Sequence, residues 1–368
     1  MTIIIFLIVL AVLIFVHELG HFLLARWNGI RVDAFKIGFG PKIFAWKRGE
    51  TEYGLNLIPF GGFVKIHGEN PDDDSINGPD KERSFVHKNR WRQASVLVAG
   101  VFFNFLFAWL IYVVVFNIGV TATKDGFEQY TKYFTNNRIM ITSISPGSPA
   151  ELAGLKMGDV ISNVKLNSAV PATSTLNIVG IQDTINASQG NVVMFSFIRN
   201  EVPNTVSVLP KSGLVNGKYA IGIAMQDVAD LKLPFFTSIY EGVHYTYVMI
   251  RDTIVGLYTF VTNIFRGTAN FSDVTGPVGI AGIVGNAAEL GLTYLLMITA
   301  LISINLGVIN LIPFPALDGG RTLFVAIEGI TRRRIPVKFF NIVNIIGFSL
   351  LMLLMVVVTY KDILKLVK

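Results

Sequence analysis

Residues 2–25 read TIIIFLIVLAVLIFVHELGHFLLA. The run is as long as the ~20 apolar residues needed to cross a hydrocarbon core, and His17, Glu18 and His21 lie inside it. Its length and apolarity predict a membrane-spanning helix. An ionisable side chain costs roughly 3 kcal/mol at the centre of such a helix and persists where it is paired, metal-bound or facing a wet cavity. The three polar residues therefore mark a site. A secretory signal is the competing reading, but the stretch has no basic start and no small-residue cleavage site, so the segment is expected to be retained.

Three further stretches approach spanning length: Ala94 to Ile118, Thr293 to Leu311 and Phe339 to Thr359. With 52% hydrophobic and 15% charged residues among 368 and a mean hydropathy of +0.54, the chain is too apolar for an ordinary soluble enzyme. The expected fold is a multi-pass α-helical membrane protein with about four transmembrane helices, a membrane-dipping β segment and an inserted β-rich, PDZ-like extracytoplasmic domain. The Lys- and Arg-rich loop from Arg26 to Arg92 and the connection carrying Arg321, Arg332, Arg333, Arg334 and Lys338 fall on one side of four spans, which the positive-inside rule assigns to the cytoplasm. The N-terminus and the long segment from Gly119 to Gly291 then lie on the outer side. The same orientation signal accounts for the formal charge of +6, so no nucleic-acid partner is expected. No cysteine is present, which removes disulfides, thiolate metal ligands and a cysteine nucleophile. Any metal must be held by His, Asp or Glu.

Four regions follow. Residues 1–118 form an N-terminal membrane half. Within it, FKIGFGPKIFAWKRGETEYGLNLIPFGGFVKI at 35–66 partly alternates apolar with polar residues between Gly and Pro, which predicts a small curved sheet that dips into the bilayer. The acidic stretch at 69–82, ENPDDDSINGPDKE, is read as a solvated loop. Residues 119–228 form the outer domain. Its phrase ITSISPGSPAELAGLKMGDVISNV at 141–164 starts a short helix at Ser148, Pro149 and Ala150, ends it at Gly154 and returns to a strand, a pattern similar to a PDZ domain of the bacterial protease type. Residues 229–291 are a linker. There Glu241, His244 and Arg251 interrupt an apolar stretch from Pro234 to Phe265, predicting a helix on the membrane surface, with a fifth span as the alternative. Residues 292–368 form the C-terminal membrane half.

The chemistry starts from FVHELGHF at 15–22. Four-residue spacing puts His17 and His21 on one helical face, able to share one zinc ion, with Glu18 alongside. In such HExxH sites the metal lowers the pKa of its water toward ~7 and the glutamate accepts the proton. A catalytic zinc usually takes a third protein ligand. Asp318, in NLIPFPALDGGRTLF at 310–324, is the candidate, because Pro313 and Pro315 break the third helix there and Gly319 and Gly320 permit close approach. Both halves of this site lie toward the cytoplasmic ends of their helices.

FVHELGHF, the single PDZ-like phrase, TGPVGI at 275–280 and NLGVINLIPFPALDGGR at 305–321 together resemble the bacterial site-2 proteases of the RseP type, over nearly the whole chain. The resemblance implies an intramembrane zinc metalloendopeptidase with one Zn2+. His17, His21 and Asp318 would be its ligands and Glu18 its general base. Asn305 and Asn310 would contact the substrate backbone or oxyanion, although interhelical hydrogen bonding is an equally open reading of both. Asn104, in AGVFFNFLF at 99–107, is a weaker candidate of the same kind; packing against the first helix through Gly100 explains it as well, and it stays outside the catalytic set. Implied substrates are single-span membrane proteins, such as anti-sigma factors and signal-peptide remnants, cut within or next to their spans during regulated intramembrane proteolysis. The PDZ-like domain would take peptide chain ends or exclude bulky substrates, and the setting would be a bacterial inner membrane with the active site toward the cytoplasm. One known branch of the family carries two PDZ domains in tandem; this chain shows one such phrase. Two rivals predict otherwise: a membrane scaffold would need neither zinc nor Glu18, and a quality-control membrane protease would take a later Glu as third ligand.

Overall fold

The structure is a computed structural model that describes residues 1–70, 73–166, 176–199, 201–215, 217–269 and 274–367. In chain order its elements are α1 (Thr2–Trp27), β1 (Val32–Arg48), β2 (Thr51–Ile66), α2 (Asp73–Asn77), α3 (Arg90–Ile118), β3 (Val120–Thr123), β4 (Phe134–Ile144), α4 (Pro149–Leu152), β5 (Val160–Leu166) and α5 (Ile178–Ala187). Then come β6 (Val193–Arg199), β7 (Val202–Val208), β8 (Lys211–Val215), β9 (Lys218–Ala220), β10 (Ile223–Leu231), α6 (Phe235–Phe265), α7 (Pro277–Leu290), α8 (Leu292–Leu311), α9 (Asp318–Thr331) and α10 (Val337–Val367). They form two compact units, one made of Met1–Val115 with Phe235–Lys368 and the other of Phe116–Pro234.

Among the described residues, five helices of the first unit are long and apolar enough to cross a membrane: α1, α3, α6, α8 and α10. That is one more than the four hydropathy runs suggest. The additional one is α6, which the sequence predicts to lie on the membrane surface, with a fifth span as the alternative. Of its three interrupting residues Glu241 is buried, together with Ser238, Gly242 and Thr246, while His244 and Arg251 are exposed, as are Tyr240, Val243 and Tyr247. The small Gly242 meets Val113 of α3, Trp109 Nε1 donates to the Ile239 carbonyl at 3.3 Å, and Tyr112 and Tyr245 pack edge to face at 4.9 Å. The small-residue side of α6 thus packs on α3, while its outer side carries charged as well as apolar residues. The short α7 is held against α1 and α8 by a cluster built on Val9, Leu13 and Val284.

The stretch read as a curved sheet is β1 and β2, paired antiparallel with repeated register shifts. Residues 32–37 meet 62–66 on one side (Val32 with Ile66, Phe35 with Val64, Ile37 with Gly62) and 52–55 on the other (Phe35 with Tyr53, Ile37 with Leu55). Residues 44–48 run against 51–55. Each long strand thus bends back on itself, and 62–66 and 44–48 become the outer segments of a four-segment sheet. Gly38 and Gly61 supply bends at φ +82 and +93, where side chains are disfavoured. Phe35, Val64 and Ile66 anchor the sheet on Phe22 and Ala25 of α1 and Val96 and Leu97 of α3. Of the acidic stretch, 71 and 72 lie outside the described residues. Asp73–Asn77 is a short helix rather than loop, with Asn77 Nδ2 donating to Asp73 Oδ1 at 2.8 Å.

In the second unit, β3-β10-β4-β5-β6-β7 form a six-stranded sheet and β8 and β9 a separate pair. The phrase at 141–164 folds as its residues suggest: Ser148 Oγ accepts from the Glu151 amide at the start of α4, Gly154 turns the chain at φ +84, and β5 follows. Asn177 Oδ1 caps α5 by accepting from the Gly180 amide at 2.7 Å. The core takes Ile139, Ile141, Ile161 and Phe195 from the sheet and Ile181 and Ile185 from α5. An Arg138–Asp230 pair, 2.7 Å from Nη2 to Oδ1, ties β4 to β10.

Candidate active site and metal centre

His17 and His21 fall one turn apart on α1, and both are buried. Their face is open to chemistry because α1 and α3 approach through glycine. A Cβ on Gly20 would stand 2.5 Å from the Ala99 carbonyl oxygen, and one on Gly100 would stand 2.4 Å from His21 Nε2 and 2.7 Å from His17 Cε1. The space a side chain would fill on α3 is taken by the two imidazoles.

Asp318 comes from the other end of the chain. α8 stops at Leu311 because Pro313 and Pro315 cannot continue a helix, and the chain turns so that α9 begins at Asp318. The turn is clamped by α10: Asn344 Oδ1 accepts from the Ala316 amide at 3.1 Å, and Gly347 lies against Pro315 so closely that a Cβ would stand 2.5 Å from the proline Cβ. Gly319 and Gly320 pass the carbonyls of Leu311 and Phe314 in the same way. Asp318 Oδ2 is thereby placed 3.1 Å from His17 Nε2 and 3.3 Å from His21 Nε2, and the two Nε2 atoms are 3.2 Å apart.

Three ligand atoms, one from each residue, lie within 4.8 Å of one another. The donor set fits a cation. His21 Nδ1 is 2.8 Å from the Val96 carbonyl oxygen, and since a carbonyl only accepts, that nitrogen carries the hydrogen and Nε2 presents a lone pair. A lone pair facing a carboxylate oxygen is repulsive until a cation or proton stands between them, and Asp318 Oδ2 is buried with no hydrogen-bond partner. Two imidazoles and one carboxylate are a common donor set for a catalytic zinc.

Glu18, half-buried, lines the same cleft as the three ligands. The cleft measures about 630 Å³, and its wall is the outer strand segment Gly62–Ile66 continuing through His67 to Asn70. A Cβ on Gly62 would come within 3.5 Å of Glu18 Cγ, so the strand passes directly beside the glutamate. Arg321, one turn after Asp318, pairs with Glu69 at the end of that strand and so ties the Asp318 helix to the cleft wall.

The asparagines divide. Asn305 Oδ1 accepts from Thr253 Oγ1 at 3.0 Å, an interhelical bond between α8 and α6. Asn310 sits half-buried on the last turn of α8. Neither is among the residues lining the cleft. Asn104, set aside as a packing residue, is 0% exposed and its amide Nδ2 lies 3.1 Å from His17 Nδ1. Its only signal in the sequence was an amide on an otherwise apolar helix, four residues after Gly100.

Two imidazoles and a carboxylate close enough to hold a metal, with Glu18 in the same cleft and apolar helices of spanning length around them, fit the class of membrane metalloproteases. The chain belongs to peptidase family M50, the site-2 protease family, whose sequence profile matches residues 5–354. It is 39% identical over 366 residues to the "Putative zinc metalloprotease CPE1693" of Clostridium perfringens (strain 13 / Type A), an alignment covering 99% of this chain and 98% of that one. It is 32% identical over 437 residues to the "Zinc metalloprotease RasP" of Geobacillus kaustophilus (strain HTA426), with 99% and 98% covered. This chain is a zinc metalloprotease and a membrane protein.

Proposed function

We propose that this protease cuts single-span membrane proteins within or next to their transmembrane segments, anti-sigma factors and signal-peptide remnants being the substrate types that fit. The carrying observation is the strand segment Gly62–Ile66. Among the described residues it is paired on one side only; it stands beside Glu18 and walls the cleft that holds His17, His21 and Asp318. His21 is six residues from the end of α1, about 9 Å along the axis, which supports chemistry inside the membrane near one face. Ile43, Phe44, Trp46 and Leu57 at the far part of the sheet are 59, 62, 50 and 60% exposed, consistent with a sheet that dips into lipid.

In this reading His17, His21 and Asp318 hold one zinc ion, which when bound supplies Lewis acidity to a water and to the scissile carbonyl. Glu18 takes a proton from the attacking water on its carboxylate and returns it to the leaving amine. A substrate helix shields its own peptide groups, so it must be unwound before attack. The unpaired edge of 62–66 receives the unwound stretch as an added strand and fixes its carbonyl in register with Glu18. Asn310 remains a substrate-contact candidate at the helix end that leads into the Asp318 turn, whereas the Thr253 bond supports helix packing as the role of Asn305. Lys65→Pro, at the exposed position of the strand, is expected to lower cleavage of a labelled single-span substrate by about tenfold or more, the scale of 1.4 kcal/mol of lost positioning, with zinc content unchanged. Full activity in this variant would remove strand addition from the mechanism.

The basic residues on the loops flanking α3 and α10 favour placing the active site on the cytoplasmic side of an inner membrane and the second unit outside. Supporting a PDZ-like role for that unit, β10 pairs with β4 over its length but with β3 only from Val228 to Leu231, leaving Ile223–Asp227 an open edge of the kind that takes a peptide chain end. The unit then filters substrates, admitting those whose outer domains have been trimmed. Excising Val120–Leu231 is expected to let substrates with folded outer domains be cut as readily as trimmed ones, measured side by side in liposomes. Unchanged selectivity would remove the filter.

A further inference from the structure

The two candidate histidine ligands are held differently at the ring nitrogen that faces away from Asp318. His21 Nδ1 meets the Val96 carbonyl oxygen at 2.8 Å, which leaves one tautomer, with the hydrogen on Nδ1 and the lone pair on Nε2. His17 Nδ1 meets the side-chain amide of Asn104 at 3.1 Å, and an amide can serve either tautomer because it offers both a donor and an acceptor. With the NH2 group toward the ring, Nδ1 of a neutral His17 must accept, which moves its hydrogen to Nε2 and into the ligand cluster. In that orientation Asn104 Oδ1 is also buried with no partner. Amide oxygen and nitrogen are nearly isosteric, and their assignment follows from the bonding network. Turning the amide by half a turn brings the unused acceptor to Nδ1 and gives both histidines the same tautomer.

We infer that Asn104 is a positioning residue of the metal centre, its amide oxygen accepting the Nδ1 hydrogen of His17 so that the Nε2 lone pair is presented to the zinc. The inference rests on His17, His21 and Asp318 as the ligand set. Its location supports the role. Asn104 follows Gly100 by four residues on the same face of α3, so one helix stripe supplies first the space for the two imidazoles and then the acceptor for one of them. Ser303 Oγ of α8 donates to the Asn104 backbone carbonyl at 2.8 Å, and both residues are 0% exposed, which fixes the level of α3 against α8 where the amide acts. Outer partners of metal-bound histidines orient the ring and raise its basicity, and their loss typically costs ~10–100-fold in metal affinity or activity.

The test is zinc affinity of the full chain in detergent, measured by competition with a chromophoric chelator, for the unaltered protein, Asn104→Asp, Asn104→Leu and Ser303→Ala. A carboxylate at 104 can only accept, so Asn104→Asp is expected to hold zinc about as tightly as the unaltered protein. Asn104→Leu, similar in size without an acceptor, is expected to lose ~10–100-fold. Ser303→Ala keeps the amide but removes the bond that sets α3 against α8, and is expected to weaken zinc binding less than Asn104→Leu does. Folded Asn104→Asp that has lost zinc, or Asn104→Leu that binds as tightly as the unaltered protein, overturns the inference. Should Asn104→Leu fail to fold, Asn104→Asp decides, because it separates acceptance from donation. Absence of zinc from the unaltered protein is a different failure, that of the ligand assignment itself.

Discussion

Glu18→Gln should leave zinc bound and nearly abolish cleavage. The substitution keeps the shape of a side chain that already has room in the cleft wall beside Gly62, so neither the α1–α3 contact nor the three candidate ligands is disturbed. What it removes is a group able to take and return a proton, an effect worth ~10²–10⁴ in rate for a positioned general acid–base. Metal analysis of the purified variant and cleavage of a labelled single-span substrate in liposomes should therefore separate: zinc at the level of the unaltered protein, turnover lower by about that factor. Equal turnover would assign the proton transfer elsewhere, and an unaltered protein with neither zinc nor turnover would leave a scaffold as the better description.

Asp318→Ala should lose both properties. Among the described residues the carboxylate is the one contribution of the C-terminal half to the candidate ligand cluster, at 3.1 and 3.3 Å from the two imidazoles, and a catalytic zinc usually keeps three protein ligands. Two histidines on one helix face bind the ion too weakly to retain it through purification, so the loss should exceed the ~10–100-fold typical of an outer-partner deletion. Circular dichroism and size-exclusion behaviour should stay close to those of the unaltered protein, since Asp318 is the first residue of α9 and the turn before it is held independently by Asn344 and Gly347. Retained zinc with retained cleavage would point to another third ligand, as a protease acting outside the bilayer would require.

Much of this arrangement is legible in the chain because lipid restricts what a sequence can mean. An apolar stretch of spanning length has few alternatives to a helix when every backbone group must be satisfied internally, so α1, α3, α8 and α10 follow from composition. His17 and His21 share a face through the four-residue period alone, and PFP before LDGG forces a break that frees Asp318 from helical packing. α6 is harder. Its polar residues do not share one side, since Glu241 is buried whereas His244 and Arg251 are exposed, and only the contacts of Gly242, Trp109 and Tyr245 show which side packs on α3.

Local spacing and residue chemistry thus carry the elements, the HExxH pair and the candidate third ligand, because each is settled within a few residues by helical period, proline geometry or the cost of a buried charge. The folded chain alone brings Gly62–Ile66 alongside Glu18, 44 residues away for the nearest of them, and sets Asn104 against His17 across two helices. It also binds Asn305 to Thr253 and keeps that asparagine out of the cleft. Such pairings depend on which helix faces meet and at what level, and the same residues at the same spacings are compatible with several packings until the glycines at 20 and 100 let α1 and α3 close on one of them.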